Sequence, residues 1–295
     1  MKVLEGASPV ELLAVPGWLV DEPELQKRGI VPVECLKPST VFCTSWFTTP
    51  QYVVKVVDRN VTEEVDICAF LQQDPASSDN HIIPCQVVRS HKTSLVMPYL
   101  PSVGTLLRID DDWLAALLEV TRQLLEGIEY LHRNRIAHMD ICTGNLLAGT
   151  SREAGFDGRI ADGGLYIIDF DRSRRLPLGP GEQGAIPLPT TQFVPPPGIT
   201  RLDPYSWDVY CVGRVLEFLL KTRPDETPPW IAQQLMLWLK GDEQGCTGVC
   251  HCRPTARRAL RVVNAIKWCI RAADLCGNAV GYLKDMLRSH LGSRV

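Results

Sequence analysis

Long apolar runs are missing from this chain of 295 residues. No stretch reaches the roughly 18 uninterrupted apolar residues that a membrane span needs, so no membrane partner is expected. The stretch from Val10 to Val20 is broken by Glu11 and Pro16 and preceded by a single basic residue, Lys2, which makes a poor secretory signal. An excess of one charge is also missing. The chain has 31 Lys and Arg against 34 Asp and Glu, a formal net of −3, which gives no general attraction to nucleic acid or anionic lipid. A paired-cysteine framework is absent too, because the 11 cysteines are odd in number and scattered. Unpaired thiols fit a reducing compartment, so cytoplasm is expected, with the nucleus as the alternative. What is present, 45% hydrophobic and 22% charged residues, is the composition of an ordinary folded protein. The length suits one large domain or two lobes around a cleft.

Charge is unevenly placed. From Arg253 onward nine Lys and Arg face two Asp and Glu, a local net of +7, leaving −10 for the remainder. The simpler reading is a solvated helix face neutralised by the acidic part of the chain, so a nucleic-acid partner is not expected.

Strand-like material comes first. Tyr52–Val57 is a short β-branched run interrupted by Lys55. Asn60-Val-Thr-Glu63 resembles a helix start with an asparagine cap, and that helix is expected to run to about Gln73. Ser94–Leu100 reads as a second strand. Helices dominate later. Trp113, Leu117, Val120, Leu124, Ile128 and Leu131 recur at three- and four-residue steps, as do Ala256, Leu260, Val263, Ile266, Ile270 and Ala273. The residues between Ser151 and Gly164 read as an inserted loop, Leu165–Phe170 as a strand, and Trp207–Lys221 as a buried helix. Between Arg172 and Pro204 there are eight prolines, which predicts an extended, irregular segment. Strands early and helices late give an α+β fold of two unequal parts.

The segment His138-Met-Asp140-Ile-Cys-Thr-Gly-Asn145, followed by Ile168-Asp169-Phe170-Asp171, fits H-x-D-x-x-x-x-N and D-F-x. With these motifs the chain resembles the protein kinase superfamily. Lys55 in its Val-Val-Lys-Val run is similar to the kinase strand lysine, and Glu64 to the helix glutamate that pairs with it. Leu95-Val-Met97-Pro98-Tyr-Leu100 resembles the strand and hinge between lobes. Asp208-Val-Tyr-Cys-Val-Gly213 resembles the start of the buried helix, and Arg253-Pro-Thr-Ala256 a late element. The matches run in the family order from about Leu36 to Leu275. The wording of the motifs, with Leu202-Asp-Pro-Tyr-Ser-Trp-Asp-Val-Tyr, is similar to divergent kinase-like proteins of mushroom-forming fungi.

The resemblance implies a two-lobed kinase-like fold: a small β-rich N-lobe with one main helix over 1–99, and a larger, mostly helical C-lobe over 100–295. Residues 1–35 form an N-terminal extension, and the kinase-like domain covers about 36–290. It also implies ATP with Mg²⁺ or Mn²⁺ as cofactors. Lys55 would hold the α- and β-phosphates, Glu64 would orient Lys55, and Asn145 and Asp169 would bind the metal. Met97, Pro98 and Leu100 would frame the adenine, and Asp140 would be the catalytic base. Periodicity by itself cannot choose between Glu63 and Glu64; only the family spacing favours Glu64. His138 and Asp208 would brace the catalytic loop. Cys246-Thr-Gly-Val-Cys250-His251-Cys252 offers soft ligands, but its spacing suits neither a zinc finger nor a ribbon, and zinc is not expected.

The departures matter as much. No glycine stands between Lys37 and Trp46, where the family's phosphate-covering loop belongs. Met139 replaces the catalytic-loop arginine and Cys142 the lysine of Ser/Thr kinases. Asp171 replaces the glycine after Asp-Phe, and Val194-Pro-Pro196 stands where A-P-E is expected. Three functions follow, in order of preference. The first is a divergent protein kinase acting on a protein hydroxyl, Ser/Thr-type before Tyr. The second is a pseudokinase scaffold for a protein partner. The third is a small-molecule phosphotransferase of the aminoglycoside or choline kinase kind, which Asp171 favours.

Overall fold

A computed structural model describes residues 13–73, 79–90, 92–107, 112–196, 198–223, 227–241 and 248–291, with side chains as far as 276. The first half builds a five-stranded antiparallel sheet in the order β1-β2-β3-β5-β4. Its strands are β1 (Glu34–Lys37), β2 (Val41–Cys43), β3 (Tyr52–Val57), β4 (Gln86–Arg89) and β5 (Thr93–Pro98). Alternation along β3 sends Val54 to one face and Lys55 to the other. Val54 joins Phe42, Val88 and Val96 on the outer face. The inner face, with Val57, Leu95 and Met97, packs on helix α1 (Glu64–Leu71) through Val65, Cys68 and Leu71.

Two local expectations are corrected. Helix α1 starts at Glu64, not at Asn60. The Asn60 amide donates to the Asp58 carboxylate at 2.9 Å, closing a turn, and the Glu64 amide finds Thr62 Oγ1 at 3.1 Å. The described residues before β1, which were expected to lie in an extension, contribute to the lobe's core. The helical turns Gly17–Val20 and Pro23–Gln26 lay Leu19 and Leu25 over the outer sheet face, and Ile30, which follows them, joins the same cluster. That face is apolar because it has a cover.

The second half is helical. Helix α2 (Trp113–Arg133) begins at Asp112, whose carboxylate accepts the Ala115 amide at 3.0 Å. All six of its periodic apolar positions are buried. Helix α3 (Pro204–Leu220) has Pro204 in its first turn and Asp203 as its cap, which accepts the Tyr205 amide at 3.0 Å and the Ser206 amide at 3.3 Å. Helix α4 (Trp230–Lys240), which the sequence pattern did not reveal, crosses α3 at Gly213. A Cβ on Gly213 would lie 2.8 Å from the Lys240 side chain and 3.0 Å from its backbone nitrogen, so only glycine permits that approach. Helix α5 (Ala256–Leu291) buries Ala256, Ala259 and Val263, with Ile270 partly covered; Ala273 is exposed, so the contact ends before the apolar spacing does.

The connecting segments also differ in detail from expectation. Ser151–Ala154 is a helical turn, and Ile160 is buried within the expected loop. The strand expected over Leu165–Phe170 stops at Ile167, because Asp169 takes a left-handed conformation (φ 65°, ψ 71°) and a 3₁₀ turn covers Phe170–Arg172. Among its described residues, the proline-rich segment carries only two-residue strands.

Candidate active site

Short pairings bring the motif residues together. The strands β6 (Ile136–Ala137), β7 (Leu146–Ala148), β8 (Leu165–Ile167) and β9 (Arg174–Arg175) pair as β6 with β9 and β7 with β8. Register Leu146↔Ile167 sets Asn145 beside Ile168, whose amide donates to the Asn145 carbonyl at 3.1 Å. Asp169 therefore starts its left-handed turn next to the loop that carries Asp140.

Lys55 lies at the centre of a charged triad. Its Nζ is 2.7 Å from Glu64 Oε1 and 2.5 Å from Asp169 Oδ1. The same Glu64 oxygen accepts the Phe170 amide at 3.0 Å, which ties α1 to the Asp-Phe turn. Among the described residues, the buried Glu64 Oε2 has no hydrogen-bond partner. Burial pushes the Glu64 carboxyl up, against the pull of Lys55. Burial also acts on Asp169, but the Lys55 ammonium outweighs it and holds that carboxyl below its ordinary range. Lys55 itself is raised: burial opposes its charge, and the two carboxylates more than compensate. Of the two adjacent glutamates, Lys55 pairs with Glu64. Glu63 is turned away, its Oε2 accepting the Arg175 amide at 3.1 Å.

Asp140 is buried and held from several sides. Its carbonyl accepts Asn145 Nδ2 at 2.8 Å, and its Oδ1 accepts the backbone amide of Gln192 at 2.7 Å. Its own amide donates to His138 Nδ1 at 3.3 Å. His138 Nε2 lies 3.1 Å from the Ile168 carbonyl, and its ring packs 4.9 Å from that of Phe170. These two bonds fix a neutral imidazole protonated on Nε2. Burial pushes the imidazole below its usual range, in keeping with that state.

Beneath the loop, Asp208 has no exposed surface and accepts the amides of His138 and Met139, each at 2.8 Å. Met139 has φ 68° and a fully buried side chain, and its carbonyl accepts Trp207 Nε1 at 3.0 Å. A buried methionine offers no charge with which to grip a phosphorylated segment. Cys142 is buried as well, and burial pushes its thiol up, so it stays neutral.

The hinge residues Met97, Pro98 and Leu100 are all buried. Pro98 has no N–H, and the Tyr99 amide donates to the Gln51 carbonyl at 3.0 Å, so among the described residues the Leu100 amide is the donor left in this stretch. Neither Gln192 nor Trp207 was expected near the catalytic loop. Gln192 acts through a backbone amide, which any residue except proline could supply, so no side-chain signal marks it. Arg253 lies 2.6 Å from the Lys240 carbonyl and 3.1 Å from Ser206 Oγ, and stacks over Tyr210. Of the cysteine cluster, Cys246 lies outside the described residues; the Cys250 amide donates to Asp203 at 3.2 Å.

A lysine bridging a helix glutamate and an Asp-Phe aspartate, next to a buried Asp–Asn loop, can neutralise phosphate charge and hold a cation. The family profile described as "Protein kinase domain" matches residues 58–234, more than half of the chain. The chain belongs to the protein kinase family. This kinase domain is 26% identical over 197 residues to the "Putative serine/threonine-protein kinase R436" of Acanthamoeba polyphaga mimivirus, covering 61% of the chain and 66% of that protein. It is 32% identical over 126 residues to the human "Mitogen-activated protein kinase kinase kinase 1", covering 41% of the chain and 7% of that protein. A third relative, the "Putative ribosomal protein S6 kinase alpha-1" of Caenorhabditis elegans, is 29% identical over 212 residues, 65% of the chain and 25% of that protein. The chain thus spans less than two thirds of the length of these relatives. A kinase domain implies use of ATP and a divalent cation, and the donor set fits them. Asn145 spends its Nδ2 on the Asp140 carbonyl, and its amide oxygen and the Asp169 carboxylate are oxygen donors of the kind a divalent cation takes. No helix among the described residues is long and apolar enough to cross a membrane.

Proposed function

We propose that this kinase domain moves the γ-phosphate of ATP to a Ser or Thr hydroxyl of a protein substrate in the cytoplasm. The observation that carries this reading is Lys55 bonded at once to Glu64 and Asp169, with α1 drawn onto the Asp-Phe turn. Lys55 grips the α- and β-phosphates, and Glu64 keeps its ammonium in place. The Leu100 amide meets the adenine edge, with Met97 and Pro98 behind it. Asn145 Oδ1 and Asp169 hold Mg²⁺ (or Mn²⁺), which supplies charge neutralisation on the phosphate oxygens. Asp140 acts as the base. Its Oδ1 is occupied by Gln192, so Oδ2 is the oxygen that accepts the proton of the attacking hydroxyl.

One cation of the usual set is missing, because Cys142 is neutral. Loss of one such contact costs about 10²–10³ in rate, so transfer is slow but measurable. The test is radiolabelled transfer from MgATP to a generic protein acceptor, alongside calorimetric MgATP binding. Asp140→Asn should remove nearly all transfer and spare binding, since a base acts in the chemical step. Transfer that persists unchanged in Asp140→Asn refutes the assignment. A second reading, a pseudokinase scaffold, is favoured by the neutral Cys142 and by the glycine-free turn between β1 and β2. Normal MgATP binding with no transfer by the wild type would decide for it.

A further inference from the structure

The turn that should cover a nucleotide's phosphates is short and stiff. Only Pro38, Ser39 and Thr40 separate β1 from β2. The Thr40 amide donates to the Lys37 carbonyl at 3.1 Å, and the Thr40 carbonyl accepts the Val56 amide at 2.8 Å. Ser39 already sits at φ 59°. Without glycine, the Cβ atoms keep these amides from closing on a phosphate. Any grip from this side must come from a side chain.

The strand register supplies one. Lys37 pairs with Val41, and Val41 pairs with Lys55. Directly opposed residues of neighbouring strands share a face. The next row, Cys35, Phe42 and Val54, belongs to the outer face beneath Leu19 and Leu25. Lys37, Val41 and Lys55 therefore share the inner face, towards the cleft. A register irregularity between Cys35 and Lys37 creates this arrangement: Leu36 is the extra residue, so Lys37 stands opposite Val41. Two strand spacings put the Lys37 and Lys55 backbones about 9.6 Å apart, close enough for both side chains to reach one polyphosphate. Lys37 is exposed. The charge of Lys55 is meanwhile shared between two carboxylates, so a second lysine beside it adds attraction for a ligand of several negative charges.

We propose that Lys37 is a second phosphate-binding lysine, which grips the polyphosphate of a nucleotide from the β1 side in place of the missing glycine-loop amides. This rests on the reading that the cleft binds ATP. It adds a residue that neither the motifs nor the family match mark, since Lys37 lies outside residues 58–234.

The test is calorimetric binding of MgATP and of adenosine to the full chain, for wild type, Lys37→Ala, Lys37→Arg and the control Lys27→Ala, an exposed lysine on the helical turn Pro23–Gln26 side of the sheet. Lys37→Ala should weaken MgATP about tenfold, the worth of one charge-assisted hydrogen bond, and leave adenosine unchanged. Lys37→Arg should restore most of the MgATP affinity, and Lys27→Ala should match wild type. MgATP affinity of Lys37→Ala within twofold of wild type overturns the proposal while the nucleotide reading stands. So does an equal loss for adenosine, which has no phosphate. A wild type that binds neither ligand overturns the nucleotide reading, and this proposal with it.

Discussion

Asp208 should be among the most costly single residues in this domain to replace. It has no exposed surface, its two oxygens accept the His138 and Met139 amides at 2.8 Å, and Oδ2 also lies 3.0 Å from His132 Nε2. The bond to Met139 matters doubly, because that residue is left-handed at φ 68°. For a residue with a Cβ this conformation costs about 1–2 kcal/mol, so it persists only while its neighbours hold it. Asp208→Ala leaves two buried amides without partners. At about 1–3 kcal/mol for each, the expected loss of stability is about 2–6 kcal/mol. A domain of this size loses about 2–4 °C of melting temperature per kcal/mol, which gives a fall of about 4–24 °C. Asp208→Asn keeps one acceptor oxygen but sets an NH₂ against the remaining donor, so about half of that loss is expected. It also serves as the measurable variant if the alanine form does not fold. Urea unfolding followed by tryptophan fluorescence reads both. A loss below about 1 kcal/mol for Asp208→Ala would mean that water or another group satisfies the loop, and the bracing role would be wrong.

The neutral state of His138 predicts a pH dependence. Burial holds its folded-state value below 6.5, so as pH falls through that value the unfolded chain binds the extra proton first and stability drops. His138→Phe should flatten this limb of the stability–pH curve between neutrality and about pH 5; an unchanged limb would assign it to other groups. Leu25→Ala tests whether the segment before β1 belongs to the lobe. Leu25 is fully buried against the outer sheet face, so a loss of about 2–5 kcal/mol is expected in equilibrium unfolding, and a change near zero would show the cover to be dispensable.

The loop motif of the candidate site was legible in the sequence because its residues are spaced along a single segment. Asp140 and Asn145 meet through one loop, and the bond from Asn145 Nδ2 to the Asp140 carbonyl is local. The periodic apolar positions of α2 likewise announced a helix, since 3.6-residue spacing and burial of one face are the same fact seen twice. Helix α4 escaped notice because Trp230 and Leu237 are exposed, so its apolar residues are not confined to one face. The segment before β1 escaped for a different reason: its apolar residues match the outer face of a sheet that exists only after folding. Periodicity could not separate Glu64 from Glu63 and only the family spacing favoured it; the fold brings Lys55 and the Phe170 amide to that one of two adjacent carboxylates. It also placed the Gln192 amide on Asp140, a contact made by backbone that no side-chain identity records. Lys37 shows the same division. That the phosphate turn lacks glycine can be read from the chain, but that Lys37 shares a face with Lys55 depends on cross-strand register, and register is set by which face the rest of the protein covers.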